Sequence, residues 1–218
     1  PGESFVNSKQ RRIPVSLDAP IFTLTHAMGF KGVLGGEYNF NRTEASIWKR
    51  FWLPASWGKI DCSVKAGAEW NTVPFPLLIL PEANLSYITQ RETFCLINNM
   101  EFLNDRFASM SISYDMNGKL FNRIPLLKNL KWREMFRVRA LWGTLTDKNN
   151  PFKSSNPDLF RFPTRDGKFT SFVMDPKVPY VEASVGIYNI FKLLHVEYVH
   201  RFTYRDNPGI NKNGIRFM

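Results

Sequence analysis

Residues 60–70 read IDCSVKAGAEW, and this stretch decides the fold. Apolar or small side chains occupy every second position, and the residues between them are polar or small. The first set is Ile60, Cys62, Val64, Ala66, Ala68 and Trp70, and the second is Asp61, Ser63, Lys65, Gly67 and Glu69. A period of two is typical of a β-strand with one apolar and one polar face. The stretch therefore predicts a two-faced strand.

The same alternation recurs along the chain. It is visible over 108–116, 181–188 and 195–204, where His200 interrupts the apolar set of the last segment. Together with the turn signals between segments, the pattern predicts an all-β antiparallel fold of about eight strands. Their expected positions are 20–28, 37–53, 58–70, 94–116, 133–143, 180–188, 194–204 and a last strand that starts near Gly214.

The length of these strands favours a transmembrane β-barrel over a soluble sandwich or barrel. A tilted strand needs roughly 9–11 residues to cross a bilayer, whereas soluble strands average about 5–6 residues. The polar faces carry acidic and basic residues together, as a wet lumen does. Aromatic residues end the apolar faces, as in the girdles of outer-membrane barrels. They are Phe51, Trp52, Trp70, Tyr114, Trp142, Phe202 and Tyr204.

The connections predict an orientation, because bacterial barrels have short periplasmic turns and long external loops. The polar stretch 144–179 is long, so it is expected outside, with 71–93 beside it. The tight turn at 54–58, the segment 117–134 and the turn 189–193 then lie inside. Residues 1–19 are a loop or the end of a preceding strand.

One position leaves two alternatives open. Residues 103–105 could form a hairpin turn that separates two strands, which would move 71–93 to the periplasm. If 94–116 is instead one long strand with a bulge near Asn104, both long loops lie outside. The second alternative obeys the rule of short inner turns and is preferred.

Composition and motifs exclude several classes of function. The chain carries 29 basic and 19 acidic residues, a formal charge of +10, but the basic residues are spread thinly, so no nucleic-acid partner is expected. Cys62 and Cys95 lack metal or redox spacing. No P-loop, nucleophile elbow or zinc-protease motif is present. We expect no enzyme activity, no catalytic or metal residues and no cofactor.

The charged residues on the expected polar faces are the candidate lumen lining. They are Asp61, Lys65, Glu69, Glu101, Glu182, Glu197 and Arg201. A salt-bridge lattice that keeps a barrel interior hydrated is the favoured interpretation, and a selectivity lining or a contact with a plug is the alternative. The apolar and basic segment 124–132 is expected to form an interfacial turn or short helix.

Six segments carry a resemblance to a known family. In order they read KRFWL (49–53), VPFPLLI (73–79), EFLNDR (101–106), NRIPLLK (122–128), LTDKN (145–149) and PYVEASVGI (179–187). The chain resembles the C-terminal barrel half of a Bacteroidota outer-membrane family of undefined function. Full members of that family carry an N-terminal carboxypeptidase-regulatory-like domain. The barrel is similar to the surface-antigen superfamily of assembly and secretion barrels.

This resemblance implies a location and partners. We expect the Gram-negative outer membrane, outer-membrane lipid, and a missing N-terminal half that completes a barrel of roughly 16 strands. Residues 1–218 would be the C-terminal portion of that barrel. The implied role is surface-protein assembly, export or envelope organisation. The alternatives are a TonB-dependent-type import pore and an outer-membrane hydrolase.

The superfamily also sends one external loop into its barrel. By order, residues 71–93 take that place. They depart from the superfamily's pattern, because they lack an Arg-Gly-Phe core and contain one arginine, Arg91. No translocation mechanism is therefore carried over to this chain.

Overall fold

The computed structural model describes residues 4–16, 18–88, 90, 92–153, 159, 162, 164–165 and 167–218. Its strands in chain order are β1 (Phe5–Asn7), β2 (Arg12–Pro14), β3 (Ile21–Gly29), β4 (Phe40–Trp52), β5 (Lys59–Glu69), β6 (Arg106–Asp115), β7 (Arg133–Thr144), β8 (Thr164–Arg165), β9 (Lys168–Phe169), β10 (Tyr180–Ile190), β11 (Leu194–Arg201) and β12 (Asn213–Phe217). One short helix, α1 (Pro125–Leu130), and two 3₁₀ turns, Phe75–Leu77 and Phe121–Arg123, complete the elements. None of the described helices is long and apolar enough to cross a membrane.

Eight of the strands form one antiparallel sheet in the order β12-β11-β10-β7-β6-β5-β4-β3. Each strand of this sheet pairs with the next main strand along the chain. The hairpins β1–β2 and β8–β9 form two separate small sheets. The predicted all-β antiparallel fold with eight main strands is confirmed. The sheet is open, since β3 and β12 are its two edges and do not pair with each other.

The prediction of one bulged strand over 94–116 is wrong. The strand begins at Arg106, and no strand precedes it among the described residues after β5, so the hairpin alternative is wrong as well. Residues before Arg106 make only single bridges, such as Ile79 with Asn104 and Phe102 with Phe172. Their apolar run belongs to a loop that packs on the sheet, and it does not follow a period of two.

The connections fall at two ends of the sheet. The turn end holds three connections, 53–58, 116–132 and 191–193. The loop end holds the four others, 30–39, 70–105, 145–179 and 202–212. Both long loops therefore lie at one end, as the preferred alternative predicted. The short helix expected within 124–132 is also confirmed, since α1 lies there.

The two faces of the sheet have opposite burial, and the apolar one is the bare one. Leu24 is 77% exposed and Val64 is 43% exposed, whereas Glu182 and Arg201 are both 0% exposed. Most water-soluble proteins bury apolar side chains and leave charges outside. Here the charged face is covered, and the apolar face is open.

What covers the charged face is the loop between β5 and β6. Its residues Phe94, Ile97 and Phe102 pack on Leu141 of β7 and Tyr180 of β10 in one buried cluster. This segment, residues 70–105, is called the inserted loop below.

Two of the aromatic residues that were expected to end the apolar face, Trp52 and Tyr204, do not lie there. Trp52 does not end the apolar face, because Arg50 and Lys59 on the charged side lie against its ring. Tyr204 is also on the covered side, 5.1 Å from the ring of Phe102.

Cys62 and Cys95 form no disulfide. Cys62 lies on the apolar face opposite Ile112, and Cys95 is buried beneath the other face.

The turn between β4 and β5 depends on Gly58. Its φ is +90°, and a Cβ there would stand 1.8 Å from the carbonyl oxygen of Asp115 on β6. The left-handed conformation disfavours any residue with a side chain, and the contact is with backbone that cannot turn aside. Gly58 therefore fixes how closely the turn approaches the neighbouring strand.

Substitution at Gly58 should test this close approach. We expect Gly58→Ala to shift the unfolding midpoint in urea further than Gly32→Ala. Gly32 has a similar φ of +85° but nothing within 4 Å of its Cβ position, so it reports backbone strain alone, on the order of 1 kcal/mol. Equal shifts for the two variants would contradict the contact between Gly58 and β6.

Candidate functional site

The strongest candidate site is a set of charged side chains on the covered face of the sheet. Alternate residues of a strand share a face. This places Arg137 and Arg139 of β7, Glu182 of β10, and Glu197 and Arg201 of β11 on the same side as the inserted loop. All five are at most 5% exposed.

These charges are matched across the sheet. Arg139 lies directly opposite Glu182, and Glu182 lies directly opposite Arg201. Arg139 Nη1 lies 3.0 Å from Glu182 Oε1. Arg137 Nη1 lies 3.0 Å from Glu197 Oε2 and reaches it across the intervening strand β10. Burying an ion is costly unless it is paired and hydrogen-bonded, and this register supplies the pairing.

Glu182 also holds the inserted loop. Its Oε1 accepts the backbone N–H of Cys95 at 2.8 Å, and its Oε2 accepts that of Leu96 at 3.1 Å. The hydroxyl of Tyr180 donates to the same carboxylate at 2.8 Å. One carboxylate thus joins an arginine and a tyrosine of the sheet to two backbone amides of the loop.

A second ion pair joins Arg201 of β11 to Glu101 of the inserted loop. Arg201 Nη2 lies 2.6 Å from Glu101 Oε1, and Arg201 Nη1 donates to Glu101 Oε2 at 3.0 Å. The same guanidinium donates to the carbonyl oxygens of Leu96 and Tyr204. A two-pronged contact between Arg and a carboxylate fixes direction as well as distance, so it sets the position of the loop on the sheet.

Two acidic residues fasten the ends of the inserted loop. Glu69 Oε1 accepts the backbone N–H groups of Asn41 at 3.0 Å and Asn71 at 3.2 Å. Asp105 Oδ2 accepts hydrogen bonds from the backbone and hydroxyl of Thr146 and from Asn149 Nδ2. Both carboxylates are at most 1% exposed.

The part of this face on β4 and β5 is more open than the part on β7, β10 and β11, because its paired charges are 15–45% exposed. Arg50 Nε lies 2.6 Å from Asp61 Oδ1, and Lys65 Nζ lies 2.5 Å from Glu82 Oε1 on the loop. Arg50 and Asp61 adjoin a cavity of about 500 Å³ that is lined by both Ile21 of β3 and Met218 beyond β12. Residues from both edges face one cavity, so the sheet is curled around it.

The thiol of Cys95 lies inside the buried network. Arg139 Nη1 is 3.3 Å from its Sγ. Burial raises the pKa of the Cys95 thiol, and the positive charge of Arg139 opposes that rise. Nearby at the loop end, burial raises the pKa of the Tyr204 phenol, which donates to Val178 O at 2.6 Å.

The structure places the seven predicted lumen residues in two groups. Glu69, Glu101, Glu182, Glu197 and Arg201 are buried, whereas Asp61 and Lys65 are partly exposed. Glu101 does not lie on a strand as expected but on the inserted loop. The sequence analysis missed Arg137, Arg139 and Asp105. The alternation of residues 133–144 carried the signal for the two arginines.

The buried ion-pair network does not place a histidine against the hydroxyl of Ser184. Ser184 donates its hydroxyl hydrogen to Glu197, and His195 Nε2 lies 3.6 Å from the same carboxylate. A serine nucleophile with a histidine base needs the two side chains in contact, but here the carboxylate of Glu197 stands between them, and Arg137 pairs with that carboxylate at 3.0 Å. No cluster of potential metal ligands occurs among the described residues.

The fold and site define a class: an all-β chain whose large antiparallel sheet buries ion pairs on one face beneath its own loop. The chain belongs to a family of unknown function, DUF5686, whose C-terminal domain matches residues 1–152. No curated protein and no solved structure matches the chain. The family match confirms the resemblance at the level of a family of undefined function. The Bacteroidota origin, the outer-membrane location, the carboxypeptidase-like domain and the surface-antigen similarity remain predictions.

The family match ends before β10 and β11, so the site crosses its boundary. Arg139 and Glu101 lie inside the matched residues, and Glu182, Glu197 and Arg201 lie beyond them. The two later strands continue the same sheet and supply the partners of the earlier charges.

Substitution at Glu182 should release the inserted loop. Glu182→Gln leaves Arg139 without its carboxylate, and removing one partner of a buried ion pair costs about 3–5 kcal/mol. In a Cys62→Ser background, we expect Cys95 to be alkylated at least about tenfold faster, because local opening exposes the thiol. Opening also removes the burial that raises its pKa, so labelling should increase at lower pH than in the parent.

The matched control is Glu44→Gln. Glu44 lies on the same face, but its contact with Lys65 is 3.6 Å long and partly exposed, and such pairs contribute about 0–1 kcal/mol. Labelling of Cys95 in this variant should stay near the parent rate. If both variants label alike, Glu182 does not hold the loop.

Proposed function

We propose that this sheet is part of the wall of a transmembrane β-barrel in a Gram-negative outer membrane, and that the inserted loop closes its lumen. The observation that carries the proposal is the inverted burial, with ion pairs covered and apolar side chains bare. We further propose that the barrel serves surface-protein assembly, export or envelope organisation, as the family resemblance implies. The import pore and the hydrolase remain alternatives from the sequence, and no contact in the described residues favours either.

The bare apolar face supports a lipid environment. Large side chains on it include Phe22 at 64% exposed, Leu24 and Val64, and they continue to Val185 and Ile215 across the sheet. Burying such a side chain completely is worth about 1.5–3 kcal/mol relative to full exposure to water, and these side chains keep a large part of their surface exposed. An apolar area that spans a whole sheet normally marks a membrane or protein contact, and hydrocarbon satisfies all of it at once.

The dimensions of the sheet fit the same environment. Six of the eight main strands have nine or more residues, and a tilted strand of about 9–11 residues spans a bilayer. The two longest connections, 70–105 and 145–179, lie at the loop end, and the two shortest, 53–58 and 191–193, lie at the turn end, which is the asymmetry of outer-membrane barrels. We propose that the turn end faces the periplasm and that residues 71–93 and 144–179 belong to the external side.

The open edges support further strands in the same wall. Backbone groups on a sheet edge cannot stay unpaired in hydrocarbon. The edges β3 and β12 would therefore pair with the remaining strands of the full protein, which the sequence resemblance puts at about 16 in total. Between Phe217 and Tyr87 a single backbone hydrogen bond of 2.8 Å already occupies part of the β12 edge.

The buried ion pairs favour a closed lumen over an open pore. Glu182 and Arg201 of the sheet bind the inserted loop, Arg201 through Glu101 of the loop, and the loop's apolar cluster fills the space beside them. An open pore needs a water-filled path at this level. We therefore propose that the protein conducts only when the loop is displaced.

Adjacent substitutions on β5 test the direction of the two faces. Val64 lies on the bare face, and Ser63 lines the cavity. A lipid-facing Arg near the midplane costs roughly 2–4 kcal/mol, and an Arg in a hydrated interior costs little. We expect Val64→Arg to reduce the folded, heat-modifiable membrane form in gel electrophoresis, and Ser63→Arg to leave it near the parent amount.

The opposite ranking would reverse the two faces. Recovery of the unsubstituted chain as a folded monomer in aqueous buffer without detergent would exclude the membrane proposal itself.

Orientation can be tested with an impermeant thiol reagent on intact cells. In a background without Cys62 and Cys95, a cysteine at Lys177 at the loop end should label, and one at Asn129 at the turn end should label only after the outer membrane is opened. Both positions are exposed. Labelling of Asn129→Cys on intact cells would overturn the orientation. Two other positions in the connections expected outside are less suitable for labelling. Residue 155 lies outside the described residues, and Asn84 of the inserted loop is only 8% exposed.

A further inference from the structure

The three connections at the turn end are joined into one surface. Lys119 Nζ donates to the carbonyl of Ala55 at 2.9 Å and lies 5.1 Å from the ring of Trp57. Asn189 Nδ2 donates to the carbonyl of Lys131 at 2.7 Å. The segments 53–58, 116–132 and 189–193 therefore hold fixed positions relative to one another, and they are called the turn-end surface below.

The charge of this surface has one sign. Its three segments contain no Asp or Glu, and all their residues are described. The basic residues they contain are Lys119, Arg123, Lys128, Lys131 and Lys192. The four connections of the loop end, in contrast, contain ten basic and ten acidic residues. The net positive charge of the connections is therefore confined to the turn end.

Large apolar side chains lie among these cations. Leu126 is 80% exposed, Phe191 81% and Leu193 85%. Leu126 and Leu130 are four residues apart in α1 and so lie on one side of it, and both are exposed. No described element covers these side chains. Leu126, Phe191 and Leu193 have larger exposed fractions than the large apolar side chains on the bare face of the sheet.

The apolar side chains of the turn-end surface continue from the bare face of the sheet. Phe51, two residues before the first turn, and Phe136, near the start of β7, are exposed on that face. A surface that is basic, apolar at its tips and continuous with a lipid-facing wall matches the boundary between headgroups and acyl chains. An acidic protein would complement the charge but not this continuity.

We propose that the turn-end surface binds anionic phospholipids in the leaflet it meets, with Lys128, Lys131 and Lys192 contacting phosphates and Leu126, Phe191 and Leu193 entering the acyl boundary. This inference rests on the proposed membrane-spanning function. Basic residues next to a membrane attract anionic lipid through charge, and the exposed leucines and phenylalanine hold the cations at headgroup depth. The binding sets the depth and tilt of the wall in the membrane.

The test compares how strongly the full protein, reconstituted in vesicles, associates with an anionic and with a zwitterionic phospholipid. The protein is placed in phosphatidylcholine vesicles that contain a minor fraction of spin-labelled phosphatidylglycerol or spin-labelled phosphatidylcholine, and the motionally restricted lipid is measured by electron paramagnetic resonance. We expect phosphatidylglycerol to associate several-fold more strongly than phosphatidylcholine, with the difference decreasing as salt is added.

Two triple variants with the same loss of charge separate this surface from net charge. In Lys128→Gln/Lys131→Gln/Lys192→Gln the preference should disappear. In Lys31→Gln/Lys177→Gln/Lys212→Gln, whose exposed lysines lie at the loop end, it should persist. All six side chains are exposed, so both variants are expected to fold.

Three outcomes would overturn the inference. An unsubstituted chain without lipid preference excludes the site. A preference that survives in the first triple variant excludes these lysines as the groups that contact the lipid. A chain that stays in the aqueous phase and never enters vesicles contradicts the proposed function first. It is recognised before any lipid preference is measured, so the two failures are distinguishable.

Discussion

The rest of the structure depends on satisfying the charges buried between the sheet and its inserted loop. Glu182 stands at the centre, because it accepts from Arg139 on the wall and from two successive amides of the loop. A carboxylate taken out of water loses several kcal/mol of hydration, and each donor offsets part of that loss. The strands place the carboxylate, and the loop must then present N–H groups to it. This requirement determines the shape of the loop.

It also explains why residues before Arg106 do not form a strand. The amides of Cys95 and Leu96 are committed to a side chain, so they cannot pair with a neighbouring strand. Residue 101 turns its carboxylate back to Arg201, and residues 104 and 79 form a single bridge. The wall and the loop therefore stabilise each other. Neither face of the sheet would be covered without the loop, and the loop has little regular structure of its own.

The sequence predicted the strands well because a period of two is a local property. Seven of the eight main strands begin within about three residues of the expected positions, and the eighth, expected over 94–116, begins only at Arg106. That error arose because Phe94-Cys95-Leu96-Ile97 looks like the start of a buried strand. Its actual environment depends on Glu182, which lies 87 residues from Cys95 in sequence.

The partners of buried charges are set by the register of distant strands, so the pairing of Arg139 and the loop position of Glu101 could not be predicted from local pattern. Glu182, Glu197 and Arg201 could be predicted as members of one face, because alternation alone places them there.

The two kinds of contact beneath the loop have different consequences for a wall whose loop can move. Phe94, Ile97 and Phe102 bury apolar surface, which favours the closed position without fixing its direction. The ion pairs contribute little net stability, because their attraction is offset by lost hydration, but a misplaced loop would leave an ion unpaired at a cost of several kcal/mol. The apolar cluster thus holds the loop in, and the charges select a single position for it. In the proposed barrel, water would hydrate both Glu182 and Arg201 when the inserted loop moves out of the lumen. A charged wall can therefore open without collapsing, as an entirely apolar lining could not.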